Sequence, residues 1–402
     1  MKYLVMLGDG MADYPIPELG GRTPLEAAKK PNMDYLAAHG TVGLAKTVPD
    51  GIAPGSDVAN MAVLGYNPDE CYTGRSPLEA VSMGIRLTDD DVTFRCNLVT
   101  LSDAENYEDT VMIDNTADEI TTEEAAVLIG YIQEKLGDDV VSFTPGMSYR
   151  HCMLMHHAKP GTVLTPPHDI IDKGVRGHLP EGLYGEKLLE LMVRSRELLR
   201  DHPVNRARME KGLRPANSCW FWGEGTRPTI GNFERMYGKK GGMVSAVDLL
   251  KGIAICAGMR NAEVEGATGN INTNFKGKAE AALELFRTGC DLVYIHVEAP
   301  DESGHRRELE NKVRSIELID RDILGPVMEG LRADGEDFAV LLMPDHPTPI
   351  ALATHVSDPV PFALYRSNAE TVSGVACYCE KDAAATGLYL PQAHKLMSEL
   401  LK

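Results

Sequence analysis

Asp301 and His305 stand four residues apart, just beyond an apolar, β-branched run from Leu292 to Val297 that Pro300 stops. On a helical turn that spacing puts a carboxylate and an imidazole on one face, where they can share a cation. Oxygen plus nitrogen donors suit manganese, zinc, cobalt or iron better than magnesium or calcium. The arrangement recurs downstream: the run Phe338 to Met343 ends at Pro344, Asp345 and His346 follow, and His355 lies nine residues further on. A third carboxylate, Asp9, sits between Gly8 and Gly10 at the end of the run Tyr3 to Leu7. Flanking glycines let the chain turn sharply there and leave the carboxylate in a crevice. Ser56 follows Pro54 and Gly55 and opens an apolar helix, where free N–H groups and the helix dipole favour an anion. Such a serine is either an N-cap or, with its pKa lowered by metal ions, a nucleophile. Three carboxylates, three imidazoles and one hydroxyl together suit in-line phosphoryl transfer at a two-metal site.

Buried strands must deliver these groups. The runs at 3–7, 292–297 and 338–343 each end in a candidate ligand, and ligands of open α/β sheets sit at the carboxyl ends of the strands. Helices are expected over about 24–39, 185–202, 276–287 and 309–331, with others after Ser56, Arg75 and Lys240. Between about 86 and 179 the character changes to strands around an amphipathic helix at 121–136. The division expected is therefore a metal-binding core of residues 1–85 and 180–402 with an inserted α+β substrate or lid domain of residues 86–179. Potential anion binders are Arg75, then Arg95, Arg150, His151, His168, Asp169 and Arg176 in the insertion, and Lys240. Ser218 to Gly223 is expected as a core strand whose Gly223-Glu224-Gly225 end faces the crevice.

Composition narrows the classes of function. Forty basic against 59 acidic residues leave a formal charge of −19 over 402 residues, which argues against nucleic-acid backbone binding. A small anionic substrate remains compatible, because a local basic pocket or metal ions can offset that field. No window is apolar and long enough to span a membrane, and the N-terminal run is too short for a signal segment, so a soluble cytoplasmic protein is expected. The eight cysteines form no C-x-x-C pair and suit free thiols in a reducing compartment. Cys377-Tyr378-Cys379 is the one close pair, and its alternating neighbours predict a strand.

The chain resembles the cofactor-independent phosphoglycerate mutases of the alkaline phosphatase superfamily, in their short, archaeal-type branch. The resemblance spans nearly the whole sequence. It is carried by Leu7-Gly8-Asp9-Gly10-Met11, Pro54-Gly55-Ser56-Asp57, Thr73-Gly74-Arg75-Ser76-Pro77-Leu78-Glu79-Ala80, Glu298-Ala299-Pro300-Asp301-Glu302-Ser303-Gly304-His305, Asp345-His346-Pro347 and Thr354-His355-Val356-Ser357-Asp358-Pro359. It implies an alkaline-phosphatase-like doubly wound α/β sheet with a smaller inserted α+β lid. It further implies two divalent ions, usually manganese with zinc or cobalt as alternatives, and no 2,3-bisphosphoglycerate. Asp301, His305 and His355 would hold one ion; Asp9, Ser56, Asp345 and His346 would hold the other. Ser56 would take the phosphoryl group from 3-phosphoglycerate and return it to the 2-hydroxyl. A homoserine kinase-like phosphotransferase and a metal-dependent phosphatase share these motifs, which report phosphoryl transfer and not the acceptor. The absence of G-x-x-x-x-G-K-[ST] favours the mutase.

Overall fold

The computed structural model describes residues 1–402, which divide into two compact units: Met1–Tyr72 with Thr229–Lys402, and Thr73–Pro228. The first is built on an eight-stranded sheet in the order Arg260–Ala262, Gly241–Val244, Leu292–Val297, Lys2–Gly8, Phe338–Met343, Val360–Arg366, Thr41–Ala45, Tyr389–Leu390. The first five run parallel, and Val360–Arg366 is antiparallel to both neighbours. All six residues of Leu292–Val297 and of Phe338–Met343 are buried, as expected of strands covered on both faces. Register fixes the site: Gly8 pairs with Val297, and Leu7 with Met343. The three central strands thus end together, and the residues just after each, Asp9, Glu298 onward and Pro344 onward, emerge at one edge of the sheet.

Prolines interrupt two expected helices. The 24–39 segment is two helices, Pro24–Ala27 and Pro31–Ala38, because Pro31 has no N–H to continue the first and instead starts the second. The 309–331 segment runs as Leu309–Ile319, a π-turn at Asp320–Leu324, and Gly325–Ala333. Pro326 falls at the start of the last piece, and the wider turn before it absorbs the carbonyl that the ring would strike. Cys377 to Cys379 form no strand; Cys379 is the N-cap of the helix Glu380–Ala385.

The second unit is α+β. Val92–Leu101 lies between antiparallel partners, Arg150–Met155 on one side and Ser218–Thr226 on the other, and Val141–Thr144 and Met112–Asp114 extend the sheet. The helices Thr122–Leu136 and Gly185–Leu199 bury Leu128, Ile129, Ile132, Leu188 and Met192 against it, with Trp220 in the same core. The boundaries expected at 86 and 179 therefore lie inside this unit, which reaches out to Thr73 and Pro228. The helix Ser76–Ser82 and the strand Ser218–Thr226 belong to it because the strand pairs along Val92–Val99. Glu224 is spent within the unit, accepting the backbone N–H groups of Gly161 and Thr162.

Candidate active site

Each strand end contributes by a local device. Gly10 has φ +63, and a Cβ built there would lie 2.7 Å from Asp301 Cα, so the chain after Asp9 turns where only glycine fits. The Gly10 N–H donates to Asp345 Oδ1 at 3.1 Å, tying the first and third strand ends together. Pro300 lies in the first turn of the short helix Ala299–His305, which carries Asp301 and His305 on one face. Ser56 is the first residue of the helix Ser56–Val63, and the N-cap is Gly55. The serine hydroxyl is therefore not used as a cap and lies 3.2 Å from His346 Nε2.

Asp9, Ser56, Asp301, His305, Asp345, His346 and His355 converge. Asp301, His346 and His355 offer donor atoms within 4.8 Å of one another, as do Asp9, Asp345 and His346, so His346 is common to both groups. His305 Nε2 lies 3.3 Å from Asp301 Oδ2 and 2.8 Å from His355 Nε2. Asp9 and Asp345 are buried, and Asp9 Oδ1 has no hydrogen-bond partner. Burial first, then the negative charges of Asp345, Asp301 and Glu298, hold the Asp9 carboxyl well above the usual carboxylate range. Burial keeps His346 below the usual imidazole range, which leaves a neutral ring with a lone pair to give. Buried carboxylates facing one another, an orphaned carboxylate oxygen and two imidazole nitrogens turned together form a donor set that divalent cations fit.

Four groups supporting this set are not evident in the sequence. His296, fully buried within the Leu292–Val297 strand, places Nε2 2.8 Å from Asp9 Oδ2 and Nδ1 3.1 Å from Ser245 Oγ. Its position inside an apolar run conceals it. Asn60 donates to Asp345 Oδ2 and to the Ser56 carbonyl, each at 2.8 Å, and accepts from Tyr294. Its signal was the four-residue spacing from Ser56 on one helix face. Thr348 donates to Asp301 Oδ1, and buried Lys312 donates to Asp13 and to the Thr348 carbonyl, fixing the loop after His346.

The expected anion binders separate. Arg75 Nε and Arg95 Nε each lie 2.9 Å from Glu79, and the guanidinium of Arg95 stacks 4.1 Å from the Trp222 ring centroid. His168 meets the same ring edge-on at 5.2 Å, and Arg150 adds its charge to the field at Glu79. Burial, together with the positive charges of Arg75 and Arg150, pulls the Arg95 guanidinium down to about 10 against the pull of Glu79. Three arginines around one carboxylate make the surroundings of Glu79 locally positive. His151 does not join them as a cation. It is buried in the sheet, burial depresses it to about 3, and Nδ1 accepts the Gly146 N–H. Asp169 is exposed beside His168, at 3.7 Å. Arg176 is bound on the surface by Glu108 and Asp109. Lys240 precedes the Gly241–Val244 strand and so sits at the sheet edge opposite Asp9, roughly 20 Å away along a six-residue strand.

Comparison with known proteins identifies the family. Residues 37–205 match the family model of 2,3-bisphosphoglycerate-independent phosphoglycerate mutase. A relative of that name from Methanosarcina barkeri is 48% identical over 403 residues, covering 100% of both chains. Among solved structures, a protein of Pyrococcus horikoshii is 30% identical with a TM-score of 0.83, covering 100% of this chain and 96% of that one. The cofactor-independent phosphoglycerate mutase of Thermoplasma acidophilum is 26% identical with a TM-score of 0.64, covering 100% and 99%. With full-length identity of this order and the expected α/β fold, the chain belongs to the 2,3-bisphosphoglycerate-independent phosphoglycerate mutases and is an isomerase.

Proposed function

We propose that the chain interconverts 3-phosphoglycerate and 2-phosphoglycerate through a phosphoserine at Ser56, with two divalent metal ions, manganese or else zinc or cobalt. Asp301, His305 and His355 would hold one ion, and Asp9, Ser56, Asp345 and His346 the other. The observation that carries this reading is the Ser56 hydroxyl, free of capping and 3.2 Å from His346 within a buried set of carboxylates. Bound there, the ions would lower the pKa of that hydroxyl and offset charge on the phosphoryl group.

The chain's own groups supply the rest. Ser56 Oγ attacks phosphorus, and the 3-oxygen of glycerate leaves and takes up a proton. The glycerate turns, its 2-hydroxyl attacks the phosphoserine, and Ser56 regains its proton. Backbone N–H groups at the start of the Ser56–Val63 helix favour the phosphoryl oxygens. His296 and Asn60 hold the Asp9 and Asp345 carboxylates in orientation. We assign binding of the substrate's anionic groups in the second unit to Arg75, Arg95 and Arg150 with His168 beside them, and exclusion of water to that unit acting as a lid. Without that exclusion the phosphoserine would hydrolyse.

Phosphorus NMR of the manganese-loaded protein with 3-phosphoglycerate, without bisphosphoglycerate or nucleotide, tests the reading. Appearance of 2-phosphoglycerate is expected, and its absence from Ser56→Ala, with the fold intact. Unchanged substrate in the wild type, or full activity in Ser56→Ala, would sink it.

A further inference from the structure

The mechanism leaves one cluster of titratable groups unused, around Cys377 and Cys379. Lys30, which is only 1% exposed, lies in the break between the helices Pro24–Ala27 and Pro31–Ala38. Its ammonium sits 2.6 Å from Asp34 Oδ1 and 3.2 Å from Cys377 Sγ. Cys379 follows two residues later, its sulfur accepting the Asp382 N–H at 3.5 Å. Cys377 is half-buried, whereas Cys379 is buried, and the segment 371–379 has no regular secondary structure. Bringing the two sulfurs together breaks no strand pairing, and the helix Glu380–Ala385 is touched only at its cap, where the Cys379 sulfur accepts the Asp382 N–H.

We propose that Cys377 and Cys379 form a peroxide-reactive dithiol, in which Cys377 is the attacking sulfur and Cys379 resolves it to an intramolecular disulfide. The charge distribution sets the direction. The Cys379 S–H first, and then the Lys30 ammonium, bring the Cys377 thiol down to about 7 against the opposing effects of burial and Asp34. Cys379 is pushed far up, first by its bond to Cys377 and then by burial, so the pair's proton stays on Cys379. Asp382 faces the pair as well, accepting the Cys377 N–H through Oδ2. Burial pushes four of the remaining thiols the opposite way: Cys71 up to about 11, and Cys96, Cys152 and Cys290 upward.

The oxidant is a hydroperoxide. The Cys377 thiolate attacks one peroxide oxygen, the O–O bond breaks, and the departing oxygen leaves as water or alcohol after taking a proton. The resulting sulfenic acid is attacked by the Cys379 sulfur; the S–O bond breaks, the S–S bond forms, and water carries off the thiol proton. The two thiols supply the two electrons that reduce one hydroperoxide.

The test uses the full-length reduced protein. Iodoacetamide labelling of Cys377, followed by peptide mass, should rise with pH through a midpoint near 7. A midpoint at the ordinary thiol value of about 8.5 overturns the proposal. Hydrogen peroxide should remove two hydrogens from the peptide carrying Cys377 and Cys379 and block its alkylation, reversibly with dithiothreitol. In Cys379→Ser the sulfenic acid should persist and be trapped by a cyclic 1,3-diketone; in Cys377→Ser, Cys379 should stay reduced. Oxidation of Cys377 without a bond to Cys379, or oxidation of Cys379 in Cys377→Ser, sinks the assignment of roles. Lys30→Met should raise the labelling midpoint; because that lysine is buried and its loss can impair folding, the wild-type pH profile stands as the independent measurement.

Discussion

His296 holds one of the proposed metal ligands, Asp9, in orientation from inside the strand Leu292–Val297. Its two nitrogens are fixed between Ser245 and Asp9, and Asp9 Oδ1 is left without a hydrogen bond, 3.5 Å from His346 Nε2. Groups that hold a metal ligand in orientation are commonly worth 10–100-fold in metal affinity. His296→Ala should therefore weaken manganese binding by roughly that factor. Competition against a chromophoric chelator measures it, and His296→Gln, which keeps a donor, should recover part of the loss. Equal affinity in His296→Ala would reduce the residue to packing. Glu79 offers a pH test in the second unit. Burial alone would raise its carboxyl, but Arg95 and Arg75 hold it below the ordinary glutamate range. A folded-state pKa below the unfolded value of about 4.3 contributes stability that is complete above that pH and lost as pH falls through the folded value. Denaturant midpoints should fall as the pH drops below about 4.3, and Glu79→Gln should flatten that acid limb while lowering stability at neutral pH.

At the scale of elements, what the sequence revealed follows from how local each signal is. Asp9, Asp301, Asp345 and His346 were legible because apolar runs announce the parallel strands, and glycine or proline marks where each stops. Ser56 was legible only as a helix start; that Gly55 takes the capping position and frees the hydroxyl needed coordinates. Arg95 and Trp222 meet through antiparallel pairing across more than a hundred residues of chain, and Glu79 reaches Arg95 from the helix Ser76–Ser82, so no spacing rule joins the three. The turn after the first strand gives an element-scale test. At Gly10 an alanine methyl would meet the Asp301 backbone at 2.7 Å, whereas at Gly20, with φ +69, nothing lies within 4 Å. Gly20→Ala should cost about 1 kcal/mol, the conformational strain alone. Gly10→Ala should cost several-fold more in urea denaturation and lower the metal stoichiometry found by elemental analysis. Equal costs would mean that the first and second strand ends can separate without penalty.

For the whole molecule, the electrostatic problem is an acidic protein that handles an anion. A formal charge of −19 repels a phosphorylated carboxylate at long range, so positive charge has to be concentrated where the substrate binds. In the first unit the proposed metal-ligating set is itself negative and would gain positive charge only with cations; in the second, Arg75, Arg95 and Arg150 outnumber Glu79 at one spot. Arg95 is the member whose geometry is most constrained, with its guanidinium plane over Trp222 and its Nε on Glu79. Lysine there keeps the charge but loses the stacking and the planar fork. Arg95→Lys should therefore raise KM for 3-phosphoglycerate by roughly tenfold, about 1.4 kcal/mol of binding, and also lower the melting temperature, because the stack and the Glu79 pair are buried. If the second unit also excludes water, a loosened grip on the substrate gives the phosphoserine more time exposed to solvent. Phosphorus NMR of the Arg95→Lys reaction should then show free phosphate rising relative to 2-phosphoglycerate. An unchanged KM and no extra phosphate would remove Arg95 from substrate binding and leave its stack on Trp222 as packing. Extra phosphate at unchanged KM would instead place Arg95 in the closure that shields the phosphoserine.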